Sequence, residues 1–93
     1  MDIAWQIIGR VQRVGFRYWA IQTVNKIGNI SGYIRNADDG SVIVYARGES
    51  ADLQRLKAYL YQGPLFARVD SIIDISSPNV YFPPIENGVF KRI

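Results

Sequence analysis

Hydrophobic and polar residues alternate over three stretches of the chain, and this period of two predicts β-strands. The stretches are residues 3–11, 30–36 and 41–48. The second and third are separated by a tetrapeptide, 37–40, that ends in the Asp-Gly signature of a hairpin turn. Each strand is predicted to bury one apolar face: Ile3, Trp5, Ile7, Gly9 and Val11; Ile30, Gly32 and Ile34; Val42, Val44 and Ala46.

Two further stretches have the spacing of amphipathic helices. The first begins at Phe16 and is stopped by Gly28, and the second has Ser50 as its predicted N-cap and ends at Gly63-Pro64. Their predicted apolar stripes are Phe16, Trp19, Ala20, Thr23, Val24 and Ile27 in the first helix, and Leu53, Leu56 and Leu60 in the second.

The rest of the chain completes the pattern. Residues 67–75 predict a fourth strand, with Val69, Ile73 and Ile75 on one face. Residues 76–88 contain three prolines and predict an irregular connection, and residues 89–93 predict a short last strand. The order strand, helix, strand, strand, helix, strand predicts an α+β, ferredoxin-like fold. We expect one domain over residues 1–93, with an antiparallel sheet of four or five strands and two helices on one face.

The amino-acid composition excludes several kinds of catalytic and metal-binding site. The chain has no cysteine and no histidine, which excludes disulfides, the usual thiolate and imidazole zinc sites and Ser-His or Cys-His nucleophiles. The absence of cysteine fits a cytoplasmic protein, and no apolar run reaches the length of a membrane span. The net charge is +3, and eight of the eleven basic residues are arginine. This mild excess favours an anionic ligand and is too small for a duplex binder.

The junction between the first predicted strand and the first helix is a candidate anion site. The first backbone N–H groups of a helix have no partner within it, and the helix dipole makes this end positive. Arg13 and Arg17 lie here, and Arg10 is close in sequence. Either these side chains are solvated or paired with carboxylates elsewhere, or a phosphate lies between them and the helix. The segment lacks the Gly-Lys-Ser/Thr of a nucleotide-binding loop.

The end of the second predicted strand holds a second candidate, Asn36. Asparagine near a turn often bonds its own backbone, so Asn36 is either a turn residue or part of the site. Asp38 and Asp39 follow it. Since adjacent residues in a turn point in different directions, we do not expect them to act as a catalytic carboxylate pair.

Two segments carry a resemblance to a known family. Gly9-Arg10-Val11-Gln12-Arg13-Val14-Gly15-Phe16-Arg17 resembles the first signature of the acylphosphatases. Gly32-Tyr33-Ile34-Arg35-Asn36-Ala37-Asp38-Asp39-Gly40-Ser41-Val42, with Gly48 further on, resembles the second. The order and the spacing of the two segments also match, and the resemblance covers residues 4 to 75.

The resemblance implies an enzyme that hydrolyses the carboxyl–phosphate bond of small acyl phosphates to a carboxylate and inorganic phosphate, without metal or cofactor. By position in the motifs, the catalytic pair is Arg17 and Asn36. Arg17 and the loop amides would hold the phosphate, and Asn36 would position the attacking water. The implied phosphate-binding loop is Gln12, Arg13, Val14, Gly15, Phe16 and Arg17.

The chain departs from the family pattern at two positions. Ile34 replaces a smaller residue, which we interpret as a packing adjustment. Arg13 stands where the family usually has glycine, inside the phosphate loop. If that position needs a positive φ, arginine there costs about 1–2 kcal/mol in backbone strain. Alternatively the guanidinium adds positive charge beside the phosphate. Our hypothesis is an active enzyme with altered phosphate affinity.

Other functions remain open on this sequence. A phosphate-binding or acyl-phosphate-binding module without turnover is the principal alternative. RNA-recognition domains share the fold, and Tyr18, Tyr33 and Tyr45 are the aromatic candidates for stacking. No segment matches the RNA-recognition signature, so we expect no nucleic-acid partner. Relation to the acylphosphatase-like domain of larger carbamoyl-transferring enzymes is a third possibility, which the short chain disfavours. We expect a monomer.

Overall fold

The strands and helices follow the predicted order. The computed structural model describes residues 1–93, and neither of its helices has the length and apolar content that crossing a membrane would need. Its elements are β1 (Asp2–Arg10), α1 (Phe16–Ile27), β2 (Ser31–Asn36), β3 (Val42–Arg47), α2 (Ser50–Gln62), β4 (Arg68–Asp74) and β5 (Phe90–Arg92).

The five strands form a single sheet in the order β4-β1-β3-β2-β5. β1 pairs antiparallel with β3 and β4, and β2 pairs antiparallel with β3. β5 instead pairs parallel with β2. The chain leaves β4 and enters β5 at the same end of the sheet but on opposite edges, which sets this direction. The ferredoxin-like architecture is confirmed, and the sheet is mixed rather than wholly antiparallel.

The main hydrophobic core lies between the two helices and one face of the sheet. The faces predicted from alternation in β1, β2 and β3 lie here, opposite the leucine stripe of α2, which is almost fully buried. Burial of the apolar face of each element is what stabilises it, since propensity alone contributes little. The core comprises Ile3, Trp5, Ile7, Val11, Phe16, Ala20, Val24, Ile30, Ile34, Val42, Val44, Ala46, Leu53, Leu56, Leu60, Ile72 and Phe90.

The predicted inward face of β4 was wrong. Val69 packs against the main core as expected. The next residue of β4 that enters this core is Ile72, whereas Ile73 is 44% exposed. The cause is a β-bulge, because Ile8 pairs with Ser71 while Gly9 pairs with Val69. The extra residue reverses the alternation beyond it, so Ile75 packs on the opposite face of the sheet.

The start of α2 also differs by one residue from the prediction. Glu49, not Ser50, is the N-cap, and Ser50 is the first helical residue. The backbone N–H of Leu53 donates to the Glu49 carbonyl at 3.0 Å, so the first turn begins one residue earlier.

Residues 76–89 form a strap across the face of the sheet that the helices leave open. It is irregular, as predicted. The backbone N–H of Ala4 donates to Ser76 Oγ at 2.7 Å, and the hydroxyl of Tyr33 donates to the carbonyl of Pro84. The ring of Phe82 meets that of Tyr45 edge-on, with 5.6 Å between centroids. The strap therefore covers a second, smaller core of Ala4, Ile43 and Tyr45.

This role of the strap predicts unequal effects at two adjacent aromatic residues. Phe82→Ala removes the aromatic contact with Tyr45 and uncovers the small core, and should lower the free energy of unfolding by about 2 kcal/mol, roughly half the usual cost for a fully buried phenylalanine. Tyr81 is 68% exposed, so Tyr81→Ala is the matched control and should change stability by less than about 0.5 kcal/mol. Urea unfolding of both variants measures the difference, and equal stabilities would contradict the assigned role.

Candidate functional site

Three loops meet at one end of the sheet. The register pairs Ile7 with Val42, Asn36 with Val42 and Arg10 with Arg68. Loop 11–15, which follows β1, is therefore flanked by the 37–41 turn on the side of β3 and β2, and by loop 63–67 on the side of β4. The residues predicted from the two signatures lie in or next to the first two of these loops.

Loop 11–15 opens onto the N-terminus of α1. Gly15 is the N-cap, with φ 77°, and no side chain caps the helix. The first helical bond runs from the N–H of Trp19 to the carbonyl of Gly15 at 3.0 Å. The amides before it have no partner inside the helix, and no acidic residue lies in the first turn. This end of α1 thus presents free donors and the positive pole of the helix dipole.

Two predicted loop residues anchor the loop by their side chains. Phe16 is 1% exposed and belongs to the main core, with its ring 5.8 Å from that of Trp19. Val14 is half-buried and packs against the same core. Their side chains are directed into the protein, so these two residues can offer a ligand only their backbone amides.

Arg13 adopts the left-handed conformation expected of the glycine it replaces. Its φ is 62°, and its side chain is exposed. For a residue with a Cβ this conformation costs about 1–2 kcal/mol. Both effects considered for this position therefore occur together: the backbone is strained, and a guanidinium lies in solvent beside the loop.

The other arginines of the region are also free of carboxylates. Arg17 is half-buried in the first turn of α1, and Arg10 is exposed at the end of β1. The ion pairs of the structure join Arg47 to Asp2 and Arg68 to Asp70. Pairing of Arg10, Arg13 or Arg17 with acidic residues is therefore ruled out, and solvation or binding of an anion are the alternatives that stand. Positive charge accumulates at this end of α1 without an ion pair to a protein carboxylate.

Asn36 is the last residue of β2, where the strand enters the 37–41 turn. Its Oδ1 is buried and accepts no hydrogen bond from the protein. A buried acceptor without a partner is unfavourable and uncommon. If Asn36 were a turn residue, its side chain was predicted to bond the local backbone, and that prediction is wrong. The carboxamide oxygen therefore takes no part in the hydrogen bonds of the turn.

Gln12 connects the loop to that turn. Its Nε2 donates to the carbonyl of Ala37 at 2.8 Å and to the carbonyl of Ser41 at 2.9 Å. The side chain predicted to line a phosphate site thus spans the gap between β1 and the end of β2. Because Ala37 directly follows Asn36, these two bonds fix where the loop lies relative to the carboxamide.

Asp39 stabilises the turn. Its Oδ1 accepts from the backbone N–H and the hydroxyl of Ser41, at 2.9 and 2.6 Å, and its Oδ2 accepts from Nε2 of Gln6 at 3.1 Å. The hydrogen bond from the Ser41 hydroxyl is the largest cause that lowers the pKa of Asp39 below its ordinary value. The sequence signalled the turn through Asp-Gly, but nothing in it indicated the contribution of Gln6.

Comparison with known proteins finds the same family by sequence and by structure. The family model described as Acylphosphatase matches residues 3–81. The acylphosphatase of Pasteurella multocida (strain Pm70) is 47% identical over 68 residues, which are 73% of this chain and 74% of that protein. The crystal structure of acylphosphatase from Bacillus subtilis is 28% identical, with a TM-score of 0.83 over 99% of this chain and 97% of that chain.

A longer protein contains the same fold. The crystal structure of HypF from T. kodakarensis has a TM-score of 0.78 at 24% identity, over 100% of this chain and 12% of that chain. At this identity the likeness concerns the fold alone.

The strained backbone at Arg13 predicts a variant that gains stability and loses affinity for phosphate. Arg13→Gly relieves the positive φ but frees the unfolded chain, so the net gain should be about 0.5–1 kcal/mol, or roughly 3–6 °C in Tm. Loss of an exposed charge beside the helix should weaken binding of inorganic phosphate by about two- to fivefold. Thermal unfolding and calorimetric titration measure the two effects.

Asn29 provides the control for this variant. It also has a positive φ, 60°, but lies between α1 and β2 at the other end of the sheet. Asn29→Gly should leave phosphate affinity unchanged, and should stabilise less, because asparagine tolerates this conformation well. Unchanged stability and unchanged phosphate affinity in Arg13→Gly would contradict both effects.

Proposed function

Because this chain belongs to the acylphosphatase family, we propose that it hydrolyses the carboxyl–phosphate bond of small acyl phosphates, releasing a carboxylate and inorganic phosphate. The observation that carries this proposal is the link made by Gln12. It joins an uncapped helix start bearing Arg17 to the strand end bearing Asn36. The link supports the proposal because it would hold the proposed phosphoryl site and the proposed water site in a fixed relation to each other.

Arg17 and the amides of residues 12–17 form the proposed phosphate site. The three phosphoryl oxygens of an acyl phosphate would accept from the free N–H groups, and the Arg17 guanidinium would donate two parallel hydrogen bonds. No protein carboxylate pairs with Arg17, so its charge is available to the ligand. The backbone donors are fixed before the substrate arrives, because Phe16 and Gln12 anchor the loop, and pre-organised donors of this kind lower a barrier.

Asn36 is the proposed positioning group for the attacking water. Its Oδ1 accepts no hydrogen bond from the protein, which supports a role for this side chain other than bracing the turn. The reaction needs no general acid or base from Asn36. The leaving group is a carboxylate, which departs without a general acid, and the transition state is loose, with charge spread over the phosphoryl oxygens. Positioning and electrostatics then supply most of the catalysis, without histidine, cysteine, metal or cofactor.

Arg13 is proposed to tune this site. Its exposed guanidinium lies in the loop beside the helix start, where it would strengthen the field that attracts a phosphate dianion. Product phosphate would be held more tightly for the same reason. The enzyme would therefore be active, with high affinity for phosphate and slow release of it.

The principal alternative is a module that binds phosphate or acyl phosphates without turnover, and hydrolysis of the substrate separates the two. Carbamoyl phosphate belongs in the same assay, since a carbamoyl-transferring relative would favour it over other acyl phosphates. A monomeric state and a cytoplasmic location stay predictions, the second supported by the absence of cysteine.

The proposed roles of Arg17 and Asn36 predict separable losses in hydrolysis of benzoyl phosphate, assayed with EDTA present. Arg17→Ala should lower kcat/KM by at least about 100-fold, since one pre-organised donor is worth about 3 kcal/mol, and should weaken inhibition by inorganic phosphate. Asn36→Ala should lower kcat to a similar degree with little change in that inhibition, because the carboxamide acts on water.

Matched controls are available for both variants. Arg92→Ala and Asn25→Ala remove the same side chains from exposed positions on β5 and α1, and both should retain the parent rate. Parent rates in Arg17→Ala and Asn36→Ala would refute the assignment. Phosphate binding by a parent protein that shows no hydrolysis would favour the binding module.

The link made by Gln12 predicts a positioning effect. Gln12→Met keeps the length of the side chain without adding charge but removes the donors to both carbonyls, so loop and turn should separate. We expect kcat to fall by about 10- to 100-fold, as small misplacements do, with a much smaller change in KM. Gln22→Met is the control, because the amide of Gln22 contacts only the hydroxyl of Tyr18 on the outer face of α1. A purely structural role would lower Tm while leaving kcat at the parent value.

A further inference from the structure

The geometry of hydrolysis assigns a direction to the acyl group. In phosphoryl transfer the attacking and the leaving oxygen lie on opposite sides of phosphorus, roughly in line. In the proposed site the attacking water is held at Asn36, on the β2 side of loop 11–15. The leaving carboxylate must then point away from Asn36, across the loop. Because β4 lies on the other side of β1, that direction leads to loop 63–67.

Loop 63–67 is a tight turn built against the phosphate loop. The N–H of Ala67 donates to the carbonyl of Pro64 at 3.0 Å, which closes the turn. At its base, a Cβ placed on Gly63 would lie 3.6 Å from the ring of Phe16, and Ala67 packs against the main core. Since Phe16 immediately precedes Arg17, the turn and the phosphate site share a support.

The two central residues of this turn are apolar and face solvent. Leu65 is 88% exposed and Phe66 is 72% exposed. Turn centres favour glycine, asparagine, aspartate and serine, which bond the local backbone or accept unusual dihedral angles. Leucine and phenylalanine gain nothing from that position in the free protein. A single exposed leucine is ordinary, but this pair lies in the direction in which the in-line reaction directs the acyl group.

We propose that Leu65 and Phe66 form the subsite for the acyl group, and that the enzyme prefers acyl phosphates with an apolar body, aromatic or branched aliphatic, over acetyl phosphate. This inference rests on the proposed function and names its substrate class. The phosphoryl group is fixed by the amides and Arg17, while the acyl group lies against the two side chains and leaves from there as the carboxylate. A methyl group is too short to bury much of this surface, whereas a phenyl ring covers it.

The double variant Leu65→Ser with Phe66→Ser tests the subsite by comparing benzoyl phosphate with acetyl phosphate. The ratio of their kcat/KM values should fall by roughly five- to tenfold, the effect of losing about 50 Å² of apolar contact. The value for acetyl phosphate and the inhibition by inorganic phosphate should stay within about twofold, as expected of residues that do not touch the phosphate. Using the ratio within one preparation removes any error in the amount of folded enzyme.

A second double variant serves as control. Tyr81→Ser with Ile93→Ser also removes one aromatic and one aliphatic side chain, 68% and 54% exposed, outside the three loops, and should keep the parent ratio. An unchanged ratio in the Leu65 and Phe66 variant, or an equal loss for both substrates, would overturn the subsite while leaving the proposed function intact. A parent protein that hydrolyses neither substrate would overturn the proposed function, and the subsite with it.

Discussion

The site depends on positive charge gathered at the start of α1 without an ion pair to any protein carboxylate. The helix begins at a glycine with no capping side chain, its first turn contains no carboxylate, and Arg17 is free of ion pairs. Such an arrangement is unfavourable for the isolated protein, because cations at this end oppose the helix dipole. It becomes favourable when an anion lies between the amides and the guanidinium. The proposed phosphate site follows from this one electrostatic constraint.

The fold supplies the rigidity that this arrangement needs. Phe16 and Val14 fix the loop to the main core, and Gln12 fixes it to the turn after Asn36. The turn is braced in its own right by the hydrogen bonds between Asp39 and Ser41. On the opposite side, loop 63–67 rests on Phe16. The phosphoryl group, the water and the acyl group would thus each be positioned by a different loop at one end of the sheet.

The sequence was a good guide wherever one face of an element is buried, because that face imposes a period on the residues. β1, β2, β3 and both helices follow this rule, and their predicted faces form the main core. The prediction failed in β4, where a bulge opposite Gly9 changes the phase and brings Ile72 inward in place of Ile73. The direction of β5 depends on how the strap crosses the sheet, which no local pattern contains.

The candidate site, like the fold, was predictable from the sequence only in part. The resemblance pointed to Arg17 and Asn36, and the glycine expected at position 13 suggested, as one of two alternatives, the positive φ that Arg13 adopts. The bonds of Gln12 join residues 25 and 29 positions apart, and those of Gln6 join residues 33 and 35 apart. Contacts of this range leave no periodic signal. They had to be found in the folded chain.

Amide NMR during titration with inorganic phosphate is the decisive measurement, because it reports where the anion binds without requiring turnover. We expect the largest shifts on the backbone N–H groups of residues 13–17 and on the guanidinium of Arg17, with the N–H groups at the start of α2 unmoved. Saturable shifts centred elsewhere, or none at millimolar phosphate, would contradict it.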